Sequence, residues 1–392
     1  MEAGLGAIAS GAGLGKKRER AMRYRRFGKT NLRLSVLSLG TMRCLASPEV
    51  AAETVGAAIA AGVNHLETAQ GYGESERYLG AALAQRPEAR SQLYVTTKVS
   101  PTPERATMER AIAVSLERLG LDYIDCLAIH GLNTPEHLAW VTDSEGCMAA
   151  VRAAIAAGRV GHVGFSTHGP LELILAAIAT EQFSFVSLHY NYFFQRNAAA
   201  IAAAAAQDMG VFIISPADKG GQLYTPPPAL EALCAPLSPL AFGYRFLLSD
   251  PRITTLSVGP ASPEELAWPL SAMAEAGDVG AIGDRLEAQL QERLGADRCS
   301  QCFACLPCPE EIPIPEVLRL RNLAIAYDMD RFGQYRYQML ENAGHWFPGR
   351  RGDRCTDCGD CLPRCPEQLD IPKLLRDAHD RLQGPARRRL WG

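Results

Sequence analysis

Residues 34 to 260 alternate short β-branched runs with longer runs rich in alanine and leucine, and this alternation constrains the fold most. The short runs, which are candidate strands, are RLSVLSLGTM, NHLETA, LYVTTKV, YIDCLAIH, VGHVGFSTH, FSFVSLHYN, VFIISPAD and ITTLSVG. Strands that alternate with helices pair in parallel through crossover connections. Eight such units in about 230 residues match the size of a (β/α)8 barrel. A doubly wound sheet is the alternative, but no run is followed by G-x-G-x-x-G. We therefore expect an α/β protein with a (β/α)8 TIM barrel.

The composition excludes some classes of partner. A net charge of -3 and a pI near 6.3 give no basic surface for nucleic acid or an anionic membrane. No apolar run reaches the ~20 residues that span a bilayer. We expect a cytoplasmic protein with neither nucleic acid nor membrane as a partner.

Polar residues at the predicted strand ends are the candidate catalytic residues, because a barrel carries its active site at the carboxyl ends of its strands. The second strand ends in Glu67 and leads to Tyr72, the third ends in Lys98 and the fourth ends in His130. Each residue alone is more typical of a solvated strand end or a buried histidine. Together they suggest a general acid, since an ammonium and an imidazole favour ionisation of a nearby phenol.

The segments GVNHLETAQGYGESERYLG, VTTKVSP and LDYIDCLAIHGL, which carry these four residues, resemble the aldo-keto reductases. FGKTNLRLSVLSLGTM, GRVGHVGFSTHG and SVGPASPEEL add to the resemblance, which covers roughly residues 22 to 270. It implies that Tyr72 protonates a carbonyl oxygen as hydride arrives, that Lys98 lowers the tyrosine pKa, that His130 orients the carbonyl, and that Glu67 holds Lys98.

The resemblance also implies a nicotinamide cofactor, NADP or NAD. The residues implied to bind it are Gly40, Thr41, Met42, Ser166, Thr167, Ser215, Gly259 and Ser262. The chain departs from the family pattern at several positions. Glu67 replaces an aspartate, and Ser187 and Ile214 replace an amide and an aromatic residue. No arginine or lysine lies around Gly259 to bind a 2'-phosphate, so the local sequence does not support NADP over NAD.

Eight of the twelve cysteines crowd into two runs, which predict iron-sulfur clusters. The candidate ligands are Cys299, Cys302, Cys305 and Cys308, and Cys355, Cys358, Cys361 and Cys365. In the bacterial ferredoxin spacing, three thiolates ligate one cluster and the fourth, before proline, ligates the other. We expect two [4Fe-4S] clusters, with one cluster or zinc as alternatives. Helical spacing between the runs favours a mainly α-helical ferredoxin-like domain, and aldo-keto reductases with such an appended domain form a branch that the chain resembles.

The expected organisation is a disordered leader at 1–21, the barrel at 22–275, a linker at 276–294, the ferredoxin-like domain at 295–380 and a tail at 381–392. The expected function is that of an NAD(P)-dependent oxidoreductase acting on a small carbonyl or alcohol, with clusters that transfer electrons and suggest a redox protein partner. Two alternatives stay open: an electron carrier with an inactive barrel, and a reductase with purely structural clusters.

Overall fold

The computed structural model describes residues 22–218 and 222–385. The predicted leader, 1–21, and the last part of the predicted tail, 386–392, lie outside the described residues. The strands are β1 (Tyr24–Arg26), β2 (Arg33–Ser35), β3 (Leu37–Gly40), β4 (His65–Glu67), β5 (Tyr94–Val99), β6 (Ile124–His130), β7 (Val160–Thr167), β8 (Phe185–His189), β9 (Gly210–Ile214) and β10 (Ile253–Val258).

The strands β3 to β10 close into a barrel in which every neighbouring pair is parallel. The order around the barrel is β10-β3-β4-β5-β6-β7-β8-β9. These are the eight strands that the sequence predicts, and the TIM barrel prediction is confirmed. Since all eight run the same way, the residues at their carboxyl ends share one face of the barrel.

The opposite end of the barrel is closed by the hairpin of β1 and β2, which pair antiparallel. Phe27 and Leu34 from this hairpin pack with Phe185 and Phe212 of the barrel strands, all fully buried. His65 lies next to these aromatic residues inside the barrel, and its ring forms hydrogen bonds with the hydroxyl groups of Ser38 and Thr96. Burial, together with the charge of a nearby lysine, lowers the pKa of His65 to about 3, so its imidazole is neutral.

Helices follow the barrel strands, and several begin or end at residues that favour helix termini. The Ser47 side chain caps the first helix by accepting from Val50 N–H at 3.2 Å, and Gly120 ends the third with φ of 62°. The helices up to residue 274 are α1 (Pro48–Ala60), α2 (Ser75–Ala84), α3 (Arg105–Leu119), α4 (Pro135–Thr142), α5 (Cys147–Ala156), α6 (Leu171–Ala179), α7 (Ala198–Ala206), α8 (Pro228–Cys234), α9 (Pro239–Ser249) and α10 (Pro263–Ala274).

Residues 276–294, expected to form a linker, are mostly helix. The remaining helices are α11 (Val279–Leu294), α12 (Ile314–Tyr327), α13 (Asp330–Tyr337) and α14 (Ile371–Leu382). Ile282 and Leu286 of α11 are buried, and the Tyr192 hydroxyl donates to the Gly283 carbonyl at 3.2 Å. The Tyr327 hydroxyl donates to the Leu286 carbonyl at 2.8 Å. α11 therefore packs between the barrel and α12, whereas the sequence led us to expect a linker. It packs because its apolar residues recur every fourth position and so share one face of the helix.

The C-terminal region is mainly α-helical, as predicted. α12 packs against α11, α13 and α14, and the apolar residues of both regions form one continuous core. None of the described helices is both long and apolar enough to cross a membrane.

Candidate active site and cysteine-lined spaces

Four polar side chains meet where β4, β5 and β6 end at the carboxyl face of the barrel. Glu67 is the last residue of β4, Lys98 is the penultimate residue of β5, and His130 is the last residue of β6. Tyr72 lies in the loop after β4, in a turn where its backbone N–H donates to the Ala69 carbonyl at 3.0 Å. The structure thus brings together the four residues that the sequence predicts as catalytic.

Lys98 is at the centre of this group. Its side chain is 1% exposed, and its ammonium forms an ion pair with the carboxylate of Glu67. The same nitrogen donates to the Thr68 carbonyl at 2.9 Å and to the Tyr72 hydroxyl at 3.4 Å. Burial lowers the pKa of Lys98 well below its ordinary value, whereas the adjacent carboxylate favours the charged form. Glu67 therefore helps to keep a cation beside the phenol.

Glu67 has a second partner, which accounts for its length. One carboxylate oxygen pairs with Lys98, and the other accepts a hydrogen bond from Ser257 Oγ of β10 at 3.1 Å. Between these strands lies Gly40, where a Cβ would come within 2.6 Å of Ser257 Oγ and 3.1 Å of Glu67 Oε2. The Glu67 carboxylate, which extends from β4, therefore contacts Lys98 of β5 and Ser257 of β10 and passes beside Gly40. Sequence reasoning missed Ser257, because a single serine in a strand carries no signal.

The Tyr72 and His130 rings form the exposed side of the group. Their centroids lie 5.5 Å apart at an interplanar angle of 84°, and Lys98 Nζ lies 4.8 Å from the centre of the Tyr72 ring. Both rings are half-buried. A phenol beside an ammonium releases its proton more readily, and an imidazole can hold a carbonyl oxygen by a hydrogen bond. The arrangement can therefore protonate a carbonyl oxygen that lies between the two rings.

The residues predicted to bind a nicotinamide also lie at the carboxyl face. They end or follow β3 (Gly40, Thr41, Met42), end β7 (Ser166, Thr167), follow β9 (Ser215) and follow β10 (Gly259, Ser262). Ser166 Oγ accepts from Gly131 N–H at 3.2 Å, and Thr167 Oγ1 donates to the Leu132 carbonyl at 2.7 Å. Ser187 Oγ, beside Ser166 in the sheet, is buried and has no hydrogen-bond partner among the described residues. Ser187 therefore provides a hydroxyl that a bound group could use.

The turn after β10 contains an ion pair that the sequence did not predict. Arg43, just after β3, makes two hydrogen bonds to Glu265 at 2.7 and 3.1 Å and donates to the Gly259 carbonyl at 3.0 Å. Glu264 and Glu265 both lie in the first turn of α10. Arg43, which contacts Gly259, is thus held by a carboxylate. It was missed because it lies 216 residues earlier in the chain.

The eight clustered cysteines line two separate spaces. Cys299, Cys302, Cys305 and Cys365 line one, and Cys355, Cys358, Cys361 and Cys308 line the other. The fourth cysteine of each run thus stands with the first three of the other run, and none forms a disulfide. Within the described ranges, no three His, Cys, Asp or Glu side chains are grouped so that they could hold a single metal ion. Each space is therefore lined by four thiols, three from one cysteine run and one from the other.

Buried charges join the C-terminal region to the barrel. Arg319 of α12 makes two hydrogen bonds to Glu316, at 2.7 and 2.9 Å, and donates to the Phe193 carbonyl after β8 at 2.8 Å. Burial alone would raise the pKa of Glu316, but the charge and hydrogen bonds of Arg319 lower it below its ordinary value. Nearby, Asp218 pairs with His189 at 3.3 Å. The Arg319 contact holds α12 against the loop that follows β8, and the Asp218 pair joins the end of β8 to the loop that follows β9.

Comparison with known families identifies both regions. Residues 36–225 match the model of the aldo/keto reductase family, and residues 298–369 match the model of the 4Fe-4S dicluster domain. The chain carries an aldo/keto reductase domain and a 4Fe-4S dicluster domain. The cysteine pattern and the four catalytic candidates lie within these two matched regions.

Curated relatives match this chain only in part. An aldo-keto reductase of Mycobacterium sp. (strain KMS) is 38% identical over 128 residues, which are 32% of this chain and 44% of that protein. An aldo-keto reductase of Mycobacterium tuberculosis (strain ATCC 25618 / H37Rv) is 32% identical over 158 residues, 40% of this chain and 54% of that protein. The chain thus spans about half the length of the curated relatives that it matches.

Solved structures share the fold of the aldo/keto reductase domain. The holo form of an aldo-keto reductase from Bacillus halodurans superposes with a TM-score of 0.59 at 20% identity, covering 68% of this chain and 96% of that one. A protein from Pseudomonas aeruginosa described as a putative aldo-keto reductase gives a TM-score of 0.55 at 23% identity, covering 66% and 97%. At these identities the likeness concerns the fold alone.

The 4Fe-4S dicluster domain reaches the mouth of the aldo/keto reductase domain. The short 3-10 turn Gly344–Trp346 places the Trp346 ring 5.2 Å from the His130 ring and 5.8 Å from the His168 ring, centroid to centroid. His345 lies 3.0 Å from the Asn133 side-chain amide. Sequence reasoning did not find this contact, since neither residue belongs to a motif. One domain therefore contributes a side chain beside the catalytic candidates of the other.

Proposed function

We propose that this protein is an oxidoreductase that reduces a small carbonyl compound, or oxidises the corresponding alcohol, with a nicotinamide cofactor at the carboxyl face of the barrel. The observation that carries the proposal is the contact of the Tyr72 hydroxyl with Lys98 Nζ, which is itself paired with Glu67. Such a phenol has a proton to give and a fixed cation that stabilises the charge left behind. A bound nicotinamide would supply or accept the hydride.

Each of the four residues has a distinct role in this proposal. Tyr72 holds the proton that passes to the carbonyl oxygen, and Lys98 stabilises the phenolate that remains. His130 directs the carbonyl oxygen towards Tyr72 by a hydrogen bond. Glu67 touches no substrate; it is a positioning residue that acts through Lys98, and Ser257 fixes its second oxygen.

The residues at the carboxyl face fit a nicotinamide in one specific respect. The buried Ser187 hydroxyl, which bonds to no described group, would be satisfied by the carboxamide of the cofactor. The other residues that we propose to contact the cofactor are those predicted after β3, β7, β9 and β10. Since Glu265 holds Arg43 beside Gly259, a 2'-phosphate there would meet carboxylates, and we favour NAD over NADP.

We further propose that the two cysteine-lined spaces hold two [4Fe-4S] clusters, each ligated by three cysteines of one run and the fourth of the other. Four thiols around each space match the ligand set that such clusters require. Clusters carry single electrons whereas a nicotinamide exchanges two as hydride, so a redox protein is the partner that this arrangement would suit. Purely structural clusters remain the alternative, because metal binding can itself stabilise a small domain.

Three measurements on anaerobically purified protein test the proposal. Titration with NADH and NADPH should give measurable binding. The protein should contain about eight irons per chain and, after reduction with dithionite, show the EPR signal of reduced [4Fe-4S] clusters. Tyr72→Phe keeps the ring and should lower turnover of any carbonyl substrate by ~100-fold or more, while cofactor binding stays as in the wild type. A protein that contains the clusters but binds no nicotinamide would be an electron carrier instead, and unchanged turnover in Tyr72→Phe would reject the proton donor.

A further inference from the structure

We propose that Trp346 of the 4Fe-4S dicluster domain is a specificity-determining residue of the reductase site, whose indole limits the size of the group attached to the substrate's carbonyl carbon. The inference rests on the proposed function and extends it, because the substrate site would then be built by both domains. It assigns to the 4Fe-4S dicluster domain a role in substrate selection besides holding clusters.

Three aromatic rings lie close together at the mouth of the barrel. The His130 ring lies 5.5 Å from the Tyr72 ring and 5.2 Å from the Trp346 ring, centroid to centroid. All three side chains are half-buried, so part of each is accessible to a bound molecule. A carbonyl oxygen held by Tyr72 and His130 leaves its carbon within a few bond lengths of the indole. Substituents on that carbon therefore have to fit past Trp346.

The indole already occupies the space beside the turn that follows His130. At Gly131, directly after His130, a Cβ would come within 2.6 Å of Trp346 Cη2. Gly131 also has φ of 75°, in the left-handed region that favours glycine. On the far side, the indole lies 5.8 Å from the His168 ring at the end of β7. A substituent that points towards the ends of β6 and β7 would therefore collide with the indole.

Contacts on both sides of Trp346 keep it from swinging away. The preceding residue, His345, contacts the Asn133 amide at 3.0 Å and the His137 ring at a centroid distance of 5.2 Å. The next residue, Phe347, packs its ring 4.2 Å from the Arg336 guanidinium, which is almost fully buried. The indole is thus fixed at the mouth by neighbours from both domains, and a fixed wall discriminates by size better than a mobile one.

The test compares Trp346→Ala and Trp346→Phe with the wild type. All three proteins carry intact clusters, and propanal and benzaldehyde are the probe substrates. Removing the indole should raise the ratio of kcat/KM for benzaldehyde over propanal by ~10-fold or more, the effect expected when a pocket gains room for a larger group. Trp346→Phe, which restores part of the wall, should give a smaller rise. Trp268→Ala is the matched control, since Trp268 lies on the barrel's outer helix α10 and is 48% exposed.

Binding of the same two aldehydes, measured by calorimetry, separates this inference from the proposed function. An active wild type whose size preference is the same in Trp346→Ala would overturn the role of Trp346 and leave the reductase. If the protein shows no turnover but Trp346→Ala selectively gains affinity for benzaldehyde, the role of Trp346 in limiting substrate size is supported and the proposed reductase function is rejected. Absence of both turnover and aldehyde binding in all variants would overturn both.

Discussion

Replacing Glu67 by glutamine tests whether the buried ion pair is the device that places a cation beside Tyr72. Lys98 and Glu67 have side chains 1% and 5% exposed, so solvent cannot replace the lost charge. Removing one partner of a buried pair costs about 3–5 kcal/mol, an upper bound here because the glutamine oxygen can still accept a hydrogen bond. Burial already lowers the pKa of Lys98. Without the carboxylate that opposes this effect, the pKa of Lys98 should fall further, which favours the neutral amine.

A neutral Lys98 no longer stabilises the Tyr72 phenolate, so we expect Glu67→Gln to lower kcat/KM by ~100-fold or more, the range of a general acid. The assay is carbonyl reduction over a pH series, together with thermal unfolding. Glu76→Gln is the matched control: Glu76 is fully buried, accepts from Thr97 Oγ1 at 2.7 Å and faces Arg118 at 3.5 Å, outside the site. It should cost comparable stability and leave turnover nearly unchanged. Equal losses of turnover in both variants would refute the reasoning.

Three further predictions concern the clusters, the domain contact and the cofactor. Cys308→Ala and Cys358→Ala should abolish the same EPR signal, because both thiols line one space. The pKa of Glu316 in the folded protein lies below its ordinary value. Its ionised form therefore stabilises the fold fully above pH ~4.5, and this stabilisation is lost as the pH falls. Glu316→Gln should make the free energy of unfolding depend less on pH on the acid side. Glu265→Gln releases Arg43 from its ion pair and should raise NADPH affinity relative to NADH.

Matched controls exist for each of these variants. Cys234→Ala removes a buried thiol far from both cysteine runs in the sequence and should leave both signals intact. Glu109→Gln breaks an exposed pair with Arg105 and should not alter the acid profile. Glu264→Gln neutralises the neighbouring carboxylate without freeing Arg43. The cluster prediction is wrong if the two cysteine variants lose different EPR signals. The acid-stability prediction is wrong if the acid side of the profile is unchanged in Glu316→Gln. The cofactor prediction is wrong if Glu264→Gln and Glu265→Gln show the same preference between NADPH and NADH.

The barrel and its catalytic candidates were predictable because their placement depends on local pattern. Once strands and helices alternate, the carboxyl ends of all strands share one face, so Glu67, Lys98 and His130 need only end their own strands to meet. The cysteine runs are similar, since their spacing is a short-range property. The α11 helix was predictable in principle: Ile282, Leu286, Leu290 and Leu294 recur every fourth position, but the surrounding alanine and glycine concealed the pattern.

The residues that sequence reasoning missed act across long separations. Ser257 contacts Glu67 across 190 residues, and Arg43 contacts Gly259 across 216. Nothing near either residue in the chain marks it, because the partner is supplied only when the barrel closes. The resemblance to the aldo-keto reductases implies an aspartate at position 67. The structure accommodates the longer glutamate because Gly40 leaves room and Ser257 donates to the oxygen that Lys98 does not use.

Gly131 shows why the mouth of the site could not be derived from the barrel sequence alone. A glycine after His130 indicates only a turn, and its φ of 75° would account for it. The second reason for glycine lies 215 positions further on, where Trp346 fills the space that a Cβ would need. Any side chain at 131 would therefore displace a residue of the 4Fe-4S dicluster domain. The two domains consequently constrain each other at the carboxyl face of the barrel, so a change in the iron-sulfur domain can alter the candidate active site without touching any of its four polar residues.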